Sequence, residues 1–89
     1  MAWKLEFRRN ALDQLKSLDR QSAHRIVSYL ETRVAVRENP RDLATALQGK
    51  QYKGLWRYRV GDYRIIAEIK DDVVTTLVVD VGHRREIYR

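Results

Sequence analysis

From Leu55 to Ile69 apolar and polar residues alternate with a period of two, and the alternation is interrupted once, at Gly61-Asp62. Only an extended chain puts residues i and i+2 on one face, so this stretch reads as two strands. A two-residue link that starts with glycine suits a type II′ hairpin turn, whose twist matches that of the strands it joins. Register follows from that turn: Val60 faces Tyr63, Arg59 faces Arg64, and Arg57 faces Ile66. One face of the hairpin then carries Trp56, Tyr58, Val60, Tyr63 and Ile65, and the opposite face carries Arg57, Arg59 and Arg64. An apolar sheet face of this kind must be covered, so the rest of the chain has to supply a layer for it.

Two helical segments can do so. After a strand over 2–7, where Trp3, Leu5 and Phe7 alternate with Lys4 and Glu6, Asn10 can cap a helix running to Leu18. Asp19 or Ser22 can cap a second helix, in which Ile26, Val27, Tyr29, Leu30 and Val34 form one stripe while Arg25, Arg33 and Arg37 face water. It must stop before Asn39-Pro40, because the residue preceding proline avoids helical angles. Residues 41–49 read as a connector with room for one helical turn around Leu43 to Leu47. Asp71-Asp72 reads as a tight turn before a strand from Val73 to Val81, and Gly82 as its end. The expected fold is α+β in the order β-α-α-β-β-β, a helical hairpin on one face of a small, mainly antiparallel sheet. With 89 residues in all, residues 1–89 form one domain.

Charge distribution narrows the chemistry. Eighteen Lys and Arg against twelve Asp and Glu give +6, a field that attracts polyanions. Residues 50–59 hold four bases, Lys50, Lys53, Arg57 and Arg59, and no acid, with Tyr52, Trp56 and Tyr58 between them. Like charges directly opposed across a sheet, ~5 Å apart at Cβ, destabilise it unless they share an anion. Two readings stand: a guanidinium clamp for phosphate, or arginines paired with Glu68, Asp62 or Glu86 on a solvated face. The tail adds His83, Arg84, Arg85 and Tyr88. His83 is the side chain best placed to take and give a proton near neutrality, and Tyr88 offers a ring for stacking. Arg85, with Lys50 and Lys53, is a candidate for RNA or phosphate binding. His24 reads as structural. There are no cysteines, and two distant histidines lack metal-ligand spacing, so neither a metal nor any other cofactor is expected. No apolar run reaches the ~18–20 residues of a membrane span and the N-terminus lacks a signal-peptide core, so a cytoplasmic protein without a membrane partner is expected.

The segment LQGKQYKGLWRYRVGDYRIIAEI and the ending VDVGHRREIYR resemble the RelE branch of the RelE/ParE superfamily of type II toxin–antitoxin systems, over almost the whole chain. The resemblance implies a ribosome-dependent endoribonuclease that cuts mRNA in the A site of the 30S subunit and inhibits translation. The implied reaction is metal-independent attack of a ribose 2′-hydroxyl on the adjacent phosphate, giving a 2′,3′-cyclic phosphate. Implied partners are an antitoxin encoded nearby, the ribosome and mRNA, and operator DNA only through the antitoxin complex. The family's functional positions fall on Arg57, Arg59, Arg64, Arg84 and Tyr88. Where the best-known member has lysines on the second strand, this chain has arginines, which stay protonated and are poor general bases. Arg57, Arg59 and Arg64 are therefore expected to bind phosphate, and His83 to carry the proton. The same resemblance admits a ParE-like, non-enzymatic inhibitor of DNA gyrase and a catalytically degenerate nucleic-acid-binding homologue.

Overall fold

The structure is a computed structural model that describes residues 3–83. Strand β1 (Lys4–Phe7) is followed by helix α1 (Arg9–Ser17) and helix α2 (Arg20–Tyr29). A short strand β2 (Thr45–Ala46), the hairpin β3 (Leu55–Val60) and β4 (Tyr63–Lys70), and strand β5 (Thr75–His83) complete the fold. The sheet order is β1-β5-β4-β3-β2, with β1 parallel to β5 and every other pair antiparallel. The expected α+β architecture is therefore present, enlarged by β2, which closes the edge beyond β3.

Both helices lie on the face that carries Tyr58, Val60, Ile65, Ala67, Val78 and Val81. Ala11 and Leu15 of α1 and Ile26 of α2, with Leu30 and Val34 beyond it, are buried against that face. Each large aliphatic side chain so placed contributes roughly 1.5–3 kcal/mol by leaving water. Val27 and Tyr29 are only half-buried, at the margin of the stripe.

The local differences from the sequence reading have identifiable causes. Helix α1 begins at Arg9, after Arg8 as N-cap, and not at Asn10. The Asn10 amide is used elsewhere: β1 pairs with β5 only as far as Phe7 and Val78, so the edge of β5 is open from Val79 onward. Asn10 Nδ2 donates to the Val79 carbonyl at 2.7 Å, and Gln14 Oε1 accepts from the Val81 N–H at 2.8 Å, so two side chains of α1 substitute for a missing strand. Asp19 is the residue that caps α2, its Oδ2 accepting from the Ser22 N–H at 3.0 Å. After Tyr29 the helix widens into a π turn over Leu30–Val34, in which Ala35 N–H bonds to the Leu30 carbonyl at 2.8 Å. That turn ends the helix earlier than Asn39-Pro40 would require. The connector has no helical turn at 43–47: its 3-10 turn lies earlier, over Pro40–Leu43, where Asn39 Oδ1 accepts from the Arg41 N–H at 3.1 Å.

The hairpin has the predicted register at all three positions, with Val60 opposite Tyr63, Arg59 opposite Arg64 and Arg57 opposite Ile66. Gly61 has φ +59° while Asp62 stays outside the left-handed region, as a type II′ turn needs. At the next turn, Asp71–Val73 forms a 3-10 turn and Val74 adopts left-handed angles, φ 48° and ψ 51°, so β5 starts at Thr75 and not at Val73. It also runs one residue past Gly82, to His83.

Two expected stability results arise here. The Thr76 hydroxyl is fully buried without a hydrogen-bond partner among the described residues. Because an unsatisfied buried polar group costs ~1–3 kcal/mol, Thr76→Val should raise stability by about 1 kcal/mol, read as a higher urea midpoint at unchanged slope. Arg41 donates from two nitrogens to the two carboxylate oxygens of Asp71, one bond at 3.0 Å, and lies over the Trp56 ring at 5.7 Å from its centroid. Hydrogen bonding from Arg41 holds the Asp71 carboxyl below its usual range. A depressed folded pKa adds stability that is fully present above the unfolded value, near ~3.9, and is lost as pH falls through the folded one. Asp19, held low by the Ser22 side chain and then its backbone N–H, acts in the same direction. Asp71→Asn should flatten, without abolishing, the acid limb of a urea-midpoint-against-pH curve.

Candidate nucleic-acid interface

The face of the sheet away from the helices carries the arginines in two adjacent rows. Arg59 pairs with Arg64, whose partner on β5 is Gly82, and Arg57 pairs with Ile66, whose partner on β5 is Asp80. Thr45 of β2 pairs with Arg57 from the other side. Strand alternation alone puts these guanidinium groups together: Arg57 and Arg59 share a face at i and i+2, and the turn returns Arg64 to stand opposite Arg59. Arg59 is exposed, while Arg57 and Arg64 are half-buried. A cleft of about 60 Å³ is lined by Arg59, Gly61, Asp62, Tyr63 and Arg64 at the hairpin end. Lys50 and Lys53 are exposed on the segment between β2 and β3 that borders this face.

The acids named as alternative partners are placed as follows. Glu68 stands on the same face, further from the turn, and pairs with Arg8 at 3.7 Å. Arg59 takes part in no ion pair among the described residues. Glu86 lies outside the described residues, as do Arg84, Arg85 and Tyr88.

His83 is not among the arginines. As the cross-strand partner of Tyr63 it points to the helical side, and its ring meets the Tyr63 ring edge-on, 5.9 Å between centroids and 80° between planes. There it lines a cleft with Ser22, Arg25 and Asp62. Period-two alternation is the reason: Gly82 shares the row of Arg64, so the next residue must face the other way. His24 is exposed on α2.

One residue at this face escaped the sequence reading. Asp80 sits within the mostly apolar run Val73 to Val81, the strand expected from the sequence, and is half-buried. Its Oδ1 accepts a hydrogen bond from Gln14 Nε2 at 2.6 Å. An acid inside an otherwise apolar strand was the available signal, since a carboxylate is seldom placed there without a partner.

Comparison with known proteins agrees with this fold. The model of the family described as ParE toxin of type II toxin–antitoxin system, parDE, matches residues 5–88. No curated protein sequence matches. The toxin–antitoxin complex RelBE2 from Mycobacterium tuberculosis contains a chain 21% identical, with TM-score 0.84, over 97% of this chain and 95% of that one. A mutant E. coli RelE toxin bound to a RelB antitoxin peptide is 25% identical, with TM-score 0.72, over 99% of this chain and 92% of that one. The archaeal RelE–RelB complex from Pyrococcus horikoshii gives 22% identity and TM-score 0.69 over 97% and 99% of the two chains. Two helices on a mixed five-stranded sheet are thus the RelE architecture. The chain belongs to the RelE/ParE superfamily and is a toxin of a type II toxin–antitoxin system.

Proposed function

We propose that the chain is a ribosome-dependent endoribonuclease that cuts mRNA and thereby inhibits translation. The observation that carries this reading is the directly opposed pair Arg59 and Arg64 with Arg57 in the next row, on the face away from both described helices. Opposed arginines cost stability in an empty sheet and gain from a shared anion, so the arrangement favours a phosphate that accumulates charge. In the proposed reaction the 2′-oxygen attacks the adjacent phosphorus and the 5′-oxygen leaves. The products are a 2′,3′-cyclic phosphate and a free 5′-hydroxyl. Arg57, Arg59 and Arg64 bind the phosphate and stabilise its extra negative charge; Lys50, Lys53 and Arg85 hold flanking phosphates.

Arg84 and Tyr88 complete the proposed set as second phosphate donor and stacking group, and His83 is proposed as proton carrier from around the hairpin end, where its cleft shares Asp62 and Tyr63 with the cleft beside Arg59 and Arg64. His83→Gln is the discriminating variant, because the ring stands on the helical side. Lost cleavage with a flattened pH profile makes it the acid or base, and unchanged cleavage removes it from the set. The reading as a whole is tested by cell-free translation with mapped mRNA ends, where intact message at excess toxin rejects it.

The match to the ParE family model favours a second reading, inhibition of DNA gyrase without RNA cleavage. Stabilised gyrase–DNA cleavage complexes with untouched mRNA would establish it. Under either reading a cognate antitoxin is proposed as partner, supported by the RelB-bound state of the similar structures. An acidic segment that folds on binding would complement the +6 charge, and co-purification with the product of the adjacent gene tests it.

A further inference from the structure

The arginine rows adjoin a second feature of the same face. A concavity of about 450 Å³ has Leu55 and Ile66 as its floor, Val79 and Asp80 of β5 along one side, and Leu47 and Tyr52 along the other. Ile66 is the cross-strand partner of Arg57, and Leu55 is two residues before Arg57 on the same face. The concavity therefore borders Arg57, one cross-strand pair or two strand residues away, roughly 5–7 Å, within the reach of a nucleotide from its phosphate to its own base. Apolar walls and an exposed tyrosine next to a phosphate clamp are what a splayed base of single-stranded RNA requires.

Asp80 supplies the charged group of this mostly apolar lining, in which Gln48 is a neutral polar side chain, and the orientation of Asp80 is set. Gln14 donates to its Oδ1 at 2.6 Å, and the other end of the same amide accepts from the Val81 N–H at 2.8 Å. A carboxylate only accepts hydrogen bonds, and Gln14 leaves it further acceptor capacity. The base it suits must present adjacent donors. Guanine does so through N1–H and the 2-amino group. Adenine and cytosine offer one amino group beside an accepting ring nitrogen, and uracil one N–H between two carbonyls.

We infer that the concavity is a guanine-binding subsite, in which Asp80 reads the Watson–Crick edge of the base and Gln14 is a positioning residue that fixes the carboxylate. The subsite rests on the reading of Arg57, Arg59 and Arg64 as an RNA phosphate clamp. It is tested by binding and not by cleavage. The full-length chain, free of antitoxin, is titrated with guanosine 3′-monophosphate and with uridine 3′-monophosphate while its backbone amide NMR signals are followed.

The guanosine nucleotide is expected to bind at least about tenfold more tightly and to shift the signals of Leu55 and Ile66. Asp80→Asn should reduce the preference to under about threefold, whereas Arg64→Ala should weaken both nucleotides alike. Tyr52→Ala, at an exposed position, should also weaken both alike by removing the stacking surface. Equal affinity of the wild-type chain for the two nucleotides would overturn the subsite. So would a preference that survives in folded Asp80→Asn. Shifts confined to the arginines would assign the concavity to an apolar side chain of a protein partner, and would overturn it as well. Should Asp80→Asn fail to fold, the wild-type preference and the site of its shifts still decide. A chain that shows the preference but cuts no RNA keeps the subsite and loses the ribonuclease reading; a chain that cuts RNA without the preference loses the subsite alone.

Discussion

Replacing Arg64 with alanine is expected to lower mRNA cleavage in cell-free translation by on the order of 100-fold to 1000-fold, the usual cost of removing one preorganised contact to transition-state charge. Arg64 is singled out by its position. It stands between Arg59 on β3 and Gly82 on β5, so it is flanked on one side by another guanidinium and on the other by a residue without a side chain. Arg59→Ala and Arg57→Ala remove outer members of the cluster, and their effects are expected to be smaller. Arg64→Lys is the informative companion, because it keeps the charge and loses the planar fork of donors. Recovery of only a small part of the activity by lysine would assign the effect to bidentate geometry; full recovery would assign it to charge alone. The measurement is the rate at which mapped 3′ ends accumulate. Wild-type cleavage in folded Arg64→Ala would remove the arginine from the site.

The largest expected effect on the fold is that of Tyr58. Its side chain is fully buried on the helical face of β3, and its hydroxyl donates to the Pro40 carbonyl at 2.6 Å. Tyr58→Phe leaves that carbonyl without its partner and should cost ~1–2 kcal/mol. Tyr58→Ala also empties the space of the ring and should cost about 3–5 kcal/mol, a large share of the ~5–15 kcal/mol that stabilises a typical domain. Burial raises the phenol pKa above its ordinary value, so the O–H persists as a donor where an exposed tyrosine would ionise. Pro40 leads directly into β2, which pairs with β3 through Thr45–Arg57 and Ala46–Trp56, and Leu47 just beyond it walls the concavity. Tyr58→Phe should therefore loosen the guanine subsite while leaving the clamp in place. Urea denaturation gives the stability change, and the nucleotide titration gives the functional one.

The hairpin was fully legible in the sequence. Residues with period-two alternation on each side of Gly61-Asp62 leave one register, and that register brings Arg57, Arg59 and Arg64 together without reference to any other part of the chain. The helical layer was legible for the same reason, since Ile26, Leu30 and Val34 repeat at helical spacing and had only one apolar face to cover. These are local determinants, set by the geometry of a strand or a helix acting on neighbouring residues. Asn10 shows where such reasoning stops. By type and position it suits a helix cap, yet it serves the open edge of β5, sixty-nine residues away in the chain.

His83 shows the same limit at the site. Its place in the sequence, next to Arg84 and Arg85, associated it with the arginines, whereas the extension of β5 through Gly82 turned it to the side of Tyr63. Whether the strand continues through Gly82 decides which face His83 takes, and that continuation depends on pairing with β4, which no local pattern contains. Asp80 was likewise visible as a residue and opaque as a group, because its partner Gln14 and the floor beneath it, Ile66 and Leu55, come from three other elements. The amino-acid sequence by itself determined the two helices, the strands β1, β3, β4 and β5, the hairpin register and the clustering of Arg57, Arg59 and Arg64, since each follows from backbone periodicity and turn chemistry. Only the tertiary structure decided which face His83 shares, what holds the open edge of β5, and that a concavity with a fixed carboxylate adjoins the clamp. Those depend on contacts between distant segments, which form when the apolar faces are buried together.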